Sequence, residues 1–467
     1  MERLKKERQT LETAASKLLS AALKAGAEAA EVCATYGVQT KMALEKQDFH
    51  LASTDDGYNL GLRVVTGGKQ GFSSTNSAEA ADLKEVASKA VEILQFSPEN
   101  PYVAIAPSEN VSKETPGVLW DDALFDLSLQ TQKDWTKVMA DEGTRDPRFR
   151  LNDGAVSISA GLYLILNSHG THKLEKETSL SWSVMGMGVD GDKITSFDYF
   201  SQLMRSAQGA PDKISTTTRK FRDFILSTLK SGPAKSYKGL VAFSPRAVLD
   251  ILVSGLNGHL NGRSVAEGTS RWKIGDLGTS KFNPLFTLRD LPWFTDRFGS
   301  AFFDREGTPT ADRTIIHQGR LESFFLDHYA AKALKSTSTG HALGGPTTPP
   351  SVGAHCLCVS PGDEPLVSIT RKITHSQKEF LLVHRFSGQV DPITGDFSGV
   401  AKGGEWWFSG ERAYFVSETL ISGNIFDVLG DQLYALSKET EVVDSHGESP
   451  TLIADGVSVT APGPKTV

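Results

Sequence analysis

At 467 residues the chain is long for a single core and suits two or three domains. Its 39% hydrophobic and 22% charged residues are those of a soluble globular protein, and no stretch approaches the roughly 20 apolar residues of a membrane-spanning helix. A formal net charge of −7, with Lys and Arg scattered, argues against nucleic acid as a direct partner, because phosphate binding needs clustered cations.

Residues 1–26 predict a helix: Leu4, Leu11, Ala15, Leu18, Ala22 and Leu23 form a stripe, and Gly26 stands where a C-cap glycine would. The charged start lacks an apolar segment and small-residue cleavage site, so it does not read as a secretory signal. Strands are predicted from Ala30 to Tyr36 and from Thr40 to Glu45, joined at Gly37. A turn at Asp55-Asp56-Gly57 precedes a third strand, Asn59 to Thr66, and Gly67-Gly68 makes a hairpin into Lys69 to Ser73. A helix follows from Ser77, as N-cap, to about Ile93. Phe96 to Pro116, with four prolines, is a loop. Helix, strands, helix in this order implies an α+β unit with an antiparallel sheet.

A second unit predicts a helix from about Asp126 to Glu142 and three strands between Gly154 and Asp198. Turns fall at Asn167-Ser168-His169-Gly170 and Asp190-Gly191-Asp192, and a helix follows from about Asp212 to Leu229. Ser231 to Gly239 has linker composition, which divides the chain into 1–117, 118–235 and 236–467. The last unit opens with a strand, Leu240 to Phe243, and a helix capped by Ser244 with Pro245 at its first position, ending in the glycine-rich Gly255 to Gly262 region. Short strands and turns then dominate, with helices near Asp327 to Leu334 and Asn424 to Leu436. The fold class is α+β: an N-terminal α+β region with an antiparallel sheet, then a large, mainly antiparallel β domain.

Two segments carry family information. Early lies Gly61-Leu62-Arg63-Val64-Val65, continuing through Gly71-Phe72-Ser73-Ser74-Thr75-Asn76. Late lies Thr394-Gly395-Asp396-Phe397-Ser398-Gly399, then Glu405-Trp406-Trp407-Phe408-Ser409-Gly410-Glu411, then Leu420-Ile421-Ser422-Gly423-Asn424. In this order and spacing they resemble the TldD/PmbA family, whose members carry a "G-(I/L)-x-(V/L)-R-V … G-x-(A/S)-S-T-N" run early. Late in the chain those members carry a "T-G-D-(Y/F)-S-x-G-x-x-G-x-W" run followed by "(I/L)-x-G-N".

The resemblance implies zinc chemistry in the TldD branch. There the helix opening the last domain carries His-Glu-x-x-x-His, two zinc ligands and a general base, followed by a "G-T-S" run. A tail cysteine in a "C-G" context is the third ligand. With Gly268-Thr269-Ser270 fixing the register to within about one residue, His259 falls at best on the second histidine, and Ser254 and Gly255 replace His and Glu. No His-Glu dipeptide occurs in the chain, and the tail position reads Asp444-Ser445-His446-Gly447. His259 and His446 are weak metal candidates, since catalytic zinc normally uses three protein ligands.

The chain therefore resembles the PmbA/TldE branch, which implies no cofactor of its own, zinc in a TldD-like partner subunit, and an unfolded peptide as substrate. A homodimeric peptide-binding protein is the alternative. Peptide-cleft or interface candidates are His259, Asp396, Ser398, Trp406 and Trp407. Asp396 is expected to fix a turn through backbone N–H groups. Adjacent Trp406 and Trp407 on one strand are expected to face opposite sides. Asp304-Arg305-Glu306-Gly307 is similar to a "D-x-E-G" family stretch and reads either as part of a cleft or as a charged turn. His169 and His172 read as a surface turn. Cys33, Cys356 and Cys358 form no disulfide framework and fit a reducing cytoplasm.

Overall fold

In a computed structural model of the chain, the described residues are 2–46, 48–109, 118–375, 379–408, 411–416 and 418–461. The architecture is mixed α+β with mainly antiparallel sheets. Among these residues no helix is long and apolar enough to cross a membrane.

Helix α1 (Glu2–Lys24) buries Leu4, Leu11, Ala14, Ala15, Leu18 and Ala22, so the stripe lies one face over from Leu23, which stays exposed. It is followed by strands β1 (Ala29–Glu45), β2 (Asp48–Thr66) and β3 (Lys69–Thr75), then helix α2 (Ala80–Ile93). The first departure from the sequence reading is here. Gly37 does not divide β1, and Asp55-Asp56-Gly57 is not a turn. Both stretches run straight through long strands, because Gly37 pairs with Gly57 on one side and Gly161 on the other, and the ladder satisfies their backbone groups. Helix α2 starts at Ala80; Ser77 instead accepts a hydrogen bond from the Glu79 N–H at 3.1 Å. Residues 110–117, including the expected loop end at Pro116, lie outside the described residues.

Strands β4 (Phe149–Asn167) and β5 (His172–Asp190) extend the same sheet: β1 pairs with β4 from Glu31 to Glu45. Residues 1–117 and 118–235 thus contribute to one seven-stranded sheet. Strand geometry sends alternate side chains to opposite faces. Ala30, Val32, Ala34 and Tyr36 pack under α1 and α2, while Leu44, Val156 and Trp182 pack under the helices Leu129–Thr144 and Ala210–Ser227. The other face meets the C-terminal domain.

That domain is built on a fourteen-stranded sheet whose central strands are Tyr237–Phe243 and Gly447–Thr460. Tyr237 to Gly239, assigned to the linker from composition, belongs to the first of these strands. Ser244 caps the following helix, accepting from the Ala247 N–H at 3.3 Å. The helix runs over residues 245–260 with a π-helical stretch, Val248–Val253. The helix expected to reach Leu436 stops at Leu429, and the chain turns into the strand Leu433–Val443. A helix not foreseen, Leu366–His375, covers a second small core of Leu240, Ala242, Phe380 and Leu382.

Two polar clusters hold the domains together. At the first, Arg63 reaches Glu306 (2.9 Å) and Glu31 (3.4 Å), and Arg305 reaches Glu31 (2.7 Å), all four residues being at most 3% exposed. The Asp304 carboxylate accepts the N–H groups of Glu306, Thr308 and Ala342. The "D-x-E-G" stretch is therefore neither a surface turn nor a cleft wall alone; it is a buried plug in the sheet. Beside it the Pro346 carbonyl sits where a Cβ on Gly61 would be, 1.9 Å away, so the docking requires glycine there. The second cluster forms part of the candidate site.

Candidate active-site cleft

The two places where the zinc ligands of the TldD branch would fall, helix 245–260 and the 444–446 turn, come together. They line a cleft of about 770 Å³ with Tyr199 and Ser201 of the N-terminal region and Phe386, Gly388 and Val390 of the strand Arg385–Val390. The helix contributes Leu249, Asp250, Ser254, Gly255 and Gly258.

The turn is built to hold its shape. Asp444 and Ser445 both take left-handed backbone angles (φ 48° and 56°), the pattern of a type I′ hairpin. Their side chains are used up by a neighbouring edge: Asp444 accepts the Ser201 N–H at 3.0 Å and Ser445 the Leu203 N–H at 2.9 Å. His446 is exposed beyond them, its ring 4.9 Å from Phe298 and its Nδ1 2.9 Å from the Asp444 carbonyl oxygen.

Behind the lining residues Asp250, Asp444 and Tyr199 stands a cation. Arg246 lies 3.3 Å from Asp198, 3.7 Å from Asp250 and 3.8 Å from Asp444, and its Nη1 donates to the Tyr199 carbonyl at 2.8 Å. Arg385 adds a second cation 2.8 Å from Asp198. Burial pushes the Asp250 carboxyl upward, with Arg246 pulling the other way. Three carboxylates thus surround a guanidinium, not an open coordination position. Among the described residues no three His, Cys, Asp or Glu side chains gather as metal ligands do. Asp198, Arg246 and Asp250 were not singled out from sequence; the only signal was the position of Asp250 one helical turn before Ser254.

His259 is elsewhere. It is 1% exposed and packed between Trp272 (5.8 Å) and Phe426 (5.2 Å), with Nδ1 accepting the Arg271 N–H at 3.1 Å. Burial, with Arg271 nearby, lowers its pKa and favours the neutral ring. His259 and His446 do not share the cleft lining. A catalytic zinc does not fit: Ser254 Oγ donates to the Asp250 carbonyl at 2.5 Å, and a Cβ at Gly255 would meet Ile425 Cδ1 at 2.8 Å and Val390 Cγ1 at 3.0 Å.

The late motif lies on the strand sheet beyond Val390. Asp396 does fix its turn, but through side chains: it accepts from Thr394 Oγ1 and Asn424 Nδ2, each at 2.8 Å, linking the Gly-Asp and Gly-Asn motifs. The backbone N–H groups of Ile393 and Thr394 go to Asp391 instead. Ser398 pairs with Gln389 and Ser422 and is exposed, outside the cleft. Trp406 is 2% exposed in the main core, edge-on to Tyr237 and donating to Glu379 at 2.8 Å. Trp407 points the opposite way, stacks on Phe380 at 5.9 Å and lines a smaller cleft of about 410 Å³. Ser409 and Gly410 of the late motif lie outside the described residues.

The remaining motifs are structural. His169 lies 3.2 Å from the Ala106 carbonyl and His172 3.5 Å from Glu12, in the β4–β5 turn. Cys33, Cys356 and Cys358 are buried free thiols, and burial pushes Cys356 and Cys358 up to about 12, far from a nucleophile's range.

Comparison with known proteins identifies the family. The family model of the PmbA/TldA metallopeptidase C-terminal domain matches residues 236–461, and that of PmbA/TldA metallopeptidase domain 1 matches residues 30–94. The chain is 27% identical over 456 residues to the metalloprotease PmbA homolog of Haemophilus influenzae, covering 92% of each. It is 25% identical over 382 residues to the metalloprotease PmbA of Escherichia coli O157:H7, covering 79% of this chain and 78% of that one. The crystal structure of TldE from Thermococcus kodakarensis superposes with a TM-score of 0.82 at 20% identity, covering 96% of this chain and 100% of that one. Matched in both terminal regions and along most of its length, the chain belongs to the TldD/PmbA family and is a PmbA/TldE-like member of it.

Proposed function

We propose that this chain is the subunit without its own zinc in a two-component peptidase of the TldD/TldE type. It would work in the cytoplasm with a TldD-like partner that carries His-Glu-x-x-x-His, and the pair would process unfolded or flexible peptides. One observation carries the reading. Of the three ligand positions of the resemblance, 254 and 446 line one cleft and 259 does not, and there the chain offers Ser254, Gly255 and His446, with Asp250 tied to Arg246. Such a set neither holds zinc by three ligands nor leaves a free base to activate water. The cleft walls and strand edges remain suited to an extended peptide.

The purified chain is expected to bind no stoichiometric zinc after dialysis and to cleave no flexible peptide alone. Mixed with a TldD-like homologue from the same host, it is expected to form a complex that does cleave. One tightly held zinc per chain, with cleavage lost in His259→Ala, would overturn this reading. A homodimer on light scattering that captures no such homologue would favour the peptide-binding alternative.

A further inference from the structure

A second cavity, of about 840 Å³, lies between the face of the N-terminal sheet that turns away from α1 and α2 and the C-terminal loops around residues 298–305 and 342–344. Its floor has an unusual row. Gly57, Gly37, Gly161 and Glu177 stand in register across β2, β1, β4 and β5. Three adjacent strands without side chains leave a trough perpendicular to them, roughly 14 Å long at ~4.8 Å per strand, open at the β2 edge and closed by Glu177.

Backbone strain does not explain the row, since none of the three glycines has positive φ. Nor does close packing at two of them. A Cβ at Gly57 would meet no atom within 4 Å, and one at Gly37 would meet only the Ala160 carbonyl oxygen at 4.0 Å. Glycine inside a strand otherwise costs stability. What the missing side chains provide at these positions is open space.

The closed end is acidic. Glu175, beside Glu177 on β5, is 6% exposed, and its Oε2 has no hydrogen-bond partner. Burial, then the neighbouring Glu177 charge, pushes the Glu175 carboxyl up to about 7, with the Phe302 N–H and Arg205 acting in the opposite sense. Glu177 is exposed and shared with Arg205 at 2.9 Å. Arg305 also borders the cavity, but its charge is met by Glu31 at 2.7 Å. Asp55 stands at the open end.

We propose that this trough takes a long, unbranched cationic side chain of a peptide, arginine above all. The apolar stem would lie over the glycines, and the guanidinium would meet Glu175 and Glu177. Long cationic side chains bury their stems while pairing their heads, and the planar guanidinium fork matches carboxylates better than a point charge does. The proposal deepens the peptide-handling reading but needs neither the metal nor the partner subunit.

The test is calorimetric titration of the full-length chain with acetyl-Gly-Arg-Gly-amide and with the same peptide carrying citrulline, which keeps the shape and loses the charge. The citrulline peptide is expected to bind about tenfold or more weakly, the loss expected for a charge-assisted hydrogen bond. Glu175→Gln is expected to erase that difference. Gly37→Leu, or Gly57→Leu at the open mouth, is expected to abolish binding without lowering the melting temperature. A further readout follows from linkage. A carboxyl whose folded pKa is raised contributes stability at low pH that is lost as pH rises through the folded value. The wild type should therefore lose melting temperature relative to Glu175→Gln as pH rises from about 4.5 to about 7, and the arginine peptide should reverse the loss. Equal binding of both peptides, no binding of the arginine peptide at millimolar concentration, or unaltered binding in the variants would overturn the proposal. Because zinc and partner capture play no part, such a failure is separable from failure of the two-component reading.

Discussion

Arg305→Met is expected to destabilise the protein by about 3–5 kcal/mol, the usual consequence of removing one partner from a buried ion pair. Burial alone would raise the Glu31 carboxyl, but Arg63 and Arg305 together hold it below its usual range. Without Arg305, Glu31 keeps only the longer 3.4 Å contact to Arg63, which must also serve Glu306. The penalty comes from the stranded charge rather than from lost attraction, so Arg305→Met combined with Glu31→Leu should recover much of the loss. Urea unfolding of the two variants measures this. A single-variant cost below about 1 kcal/mol would mean that water reaches the cluster and that it behaves like a surface pair. The pH dependence has a definite sign: because the folded Glu31 pKa is depressed, its share of stability is present at neutral pH and fades as pH falls through the carboxylate range. That fading should be absent in Glu31→Gln.

Trp406→Ala should cost about 3–5 kcal/mol, the range for large aromatics removed from cores. Its ring is enclosed by Tyr237 and Tyr414, and its Nε1 donates to Glu379, a bond that truncation removes. Trp407→Ala should cost clearly less. That ring is only partly buried, stacked on Phe380, and one side faces the cleft with Leu366 and Val367. Thermal melts of the two single variants give the comparison. Equal losses would mean that both rings are simply core and would leave the tryptophan pair no bearing on binding.

The sequence revealed most where local chemistry decides structure. Ser244 before Pro245, Asp327 before its helix and the amphipathic stripe of α1 could all be read locally, because caps and periodicity act over a few residues. The misreadings share a cause. Gly37 and Asp55-Asp56-Gly57 carry turn composition, yet their strands pair with each other, and β4, more than 100 residues further along the chain, pairs with the other side of β1 (Gly161 opposite Gly37), which overrode it. The buried character of Arg305 and Glu306 was hidden for the same reason, since their partners Glu31 and Arg63 lie some 240 to 270 residues earlier in sequence. His259 was placed by motif register alone; which face of the helix it occupies depends on the π-helical stretch Val248–Val253, an irregularity that periodicity does not announce.

The long sheet is fastened to the C-terminal domain at two distant points. One is the Glu31–Arg63–Arg305–Glu306 plug, and the other is Asp198 held by Arg246 and Arg385. A beam pinned at both ends cannot rock about either pin. Relative rotation of the two halves would have to break charged contacts at one end or the other, and domain closure of the hinge kind needs a single flexible joint. Both cavities are therefore expected to hold their width in the free protein. Selection among ligands must rest on what already fits the gap, with adjustment left to side chains and loop tips rather than to jaws that shut.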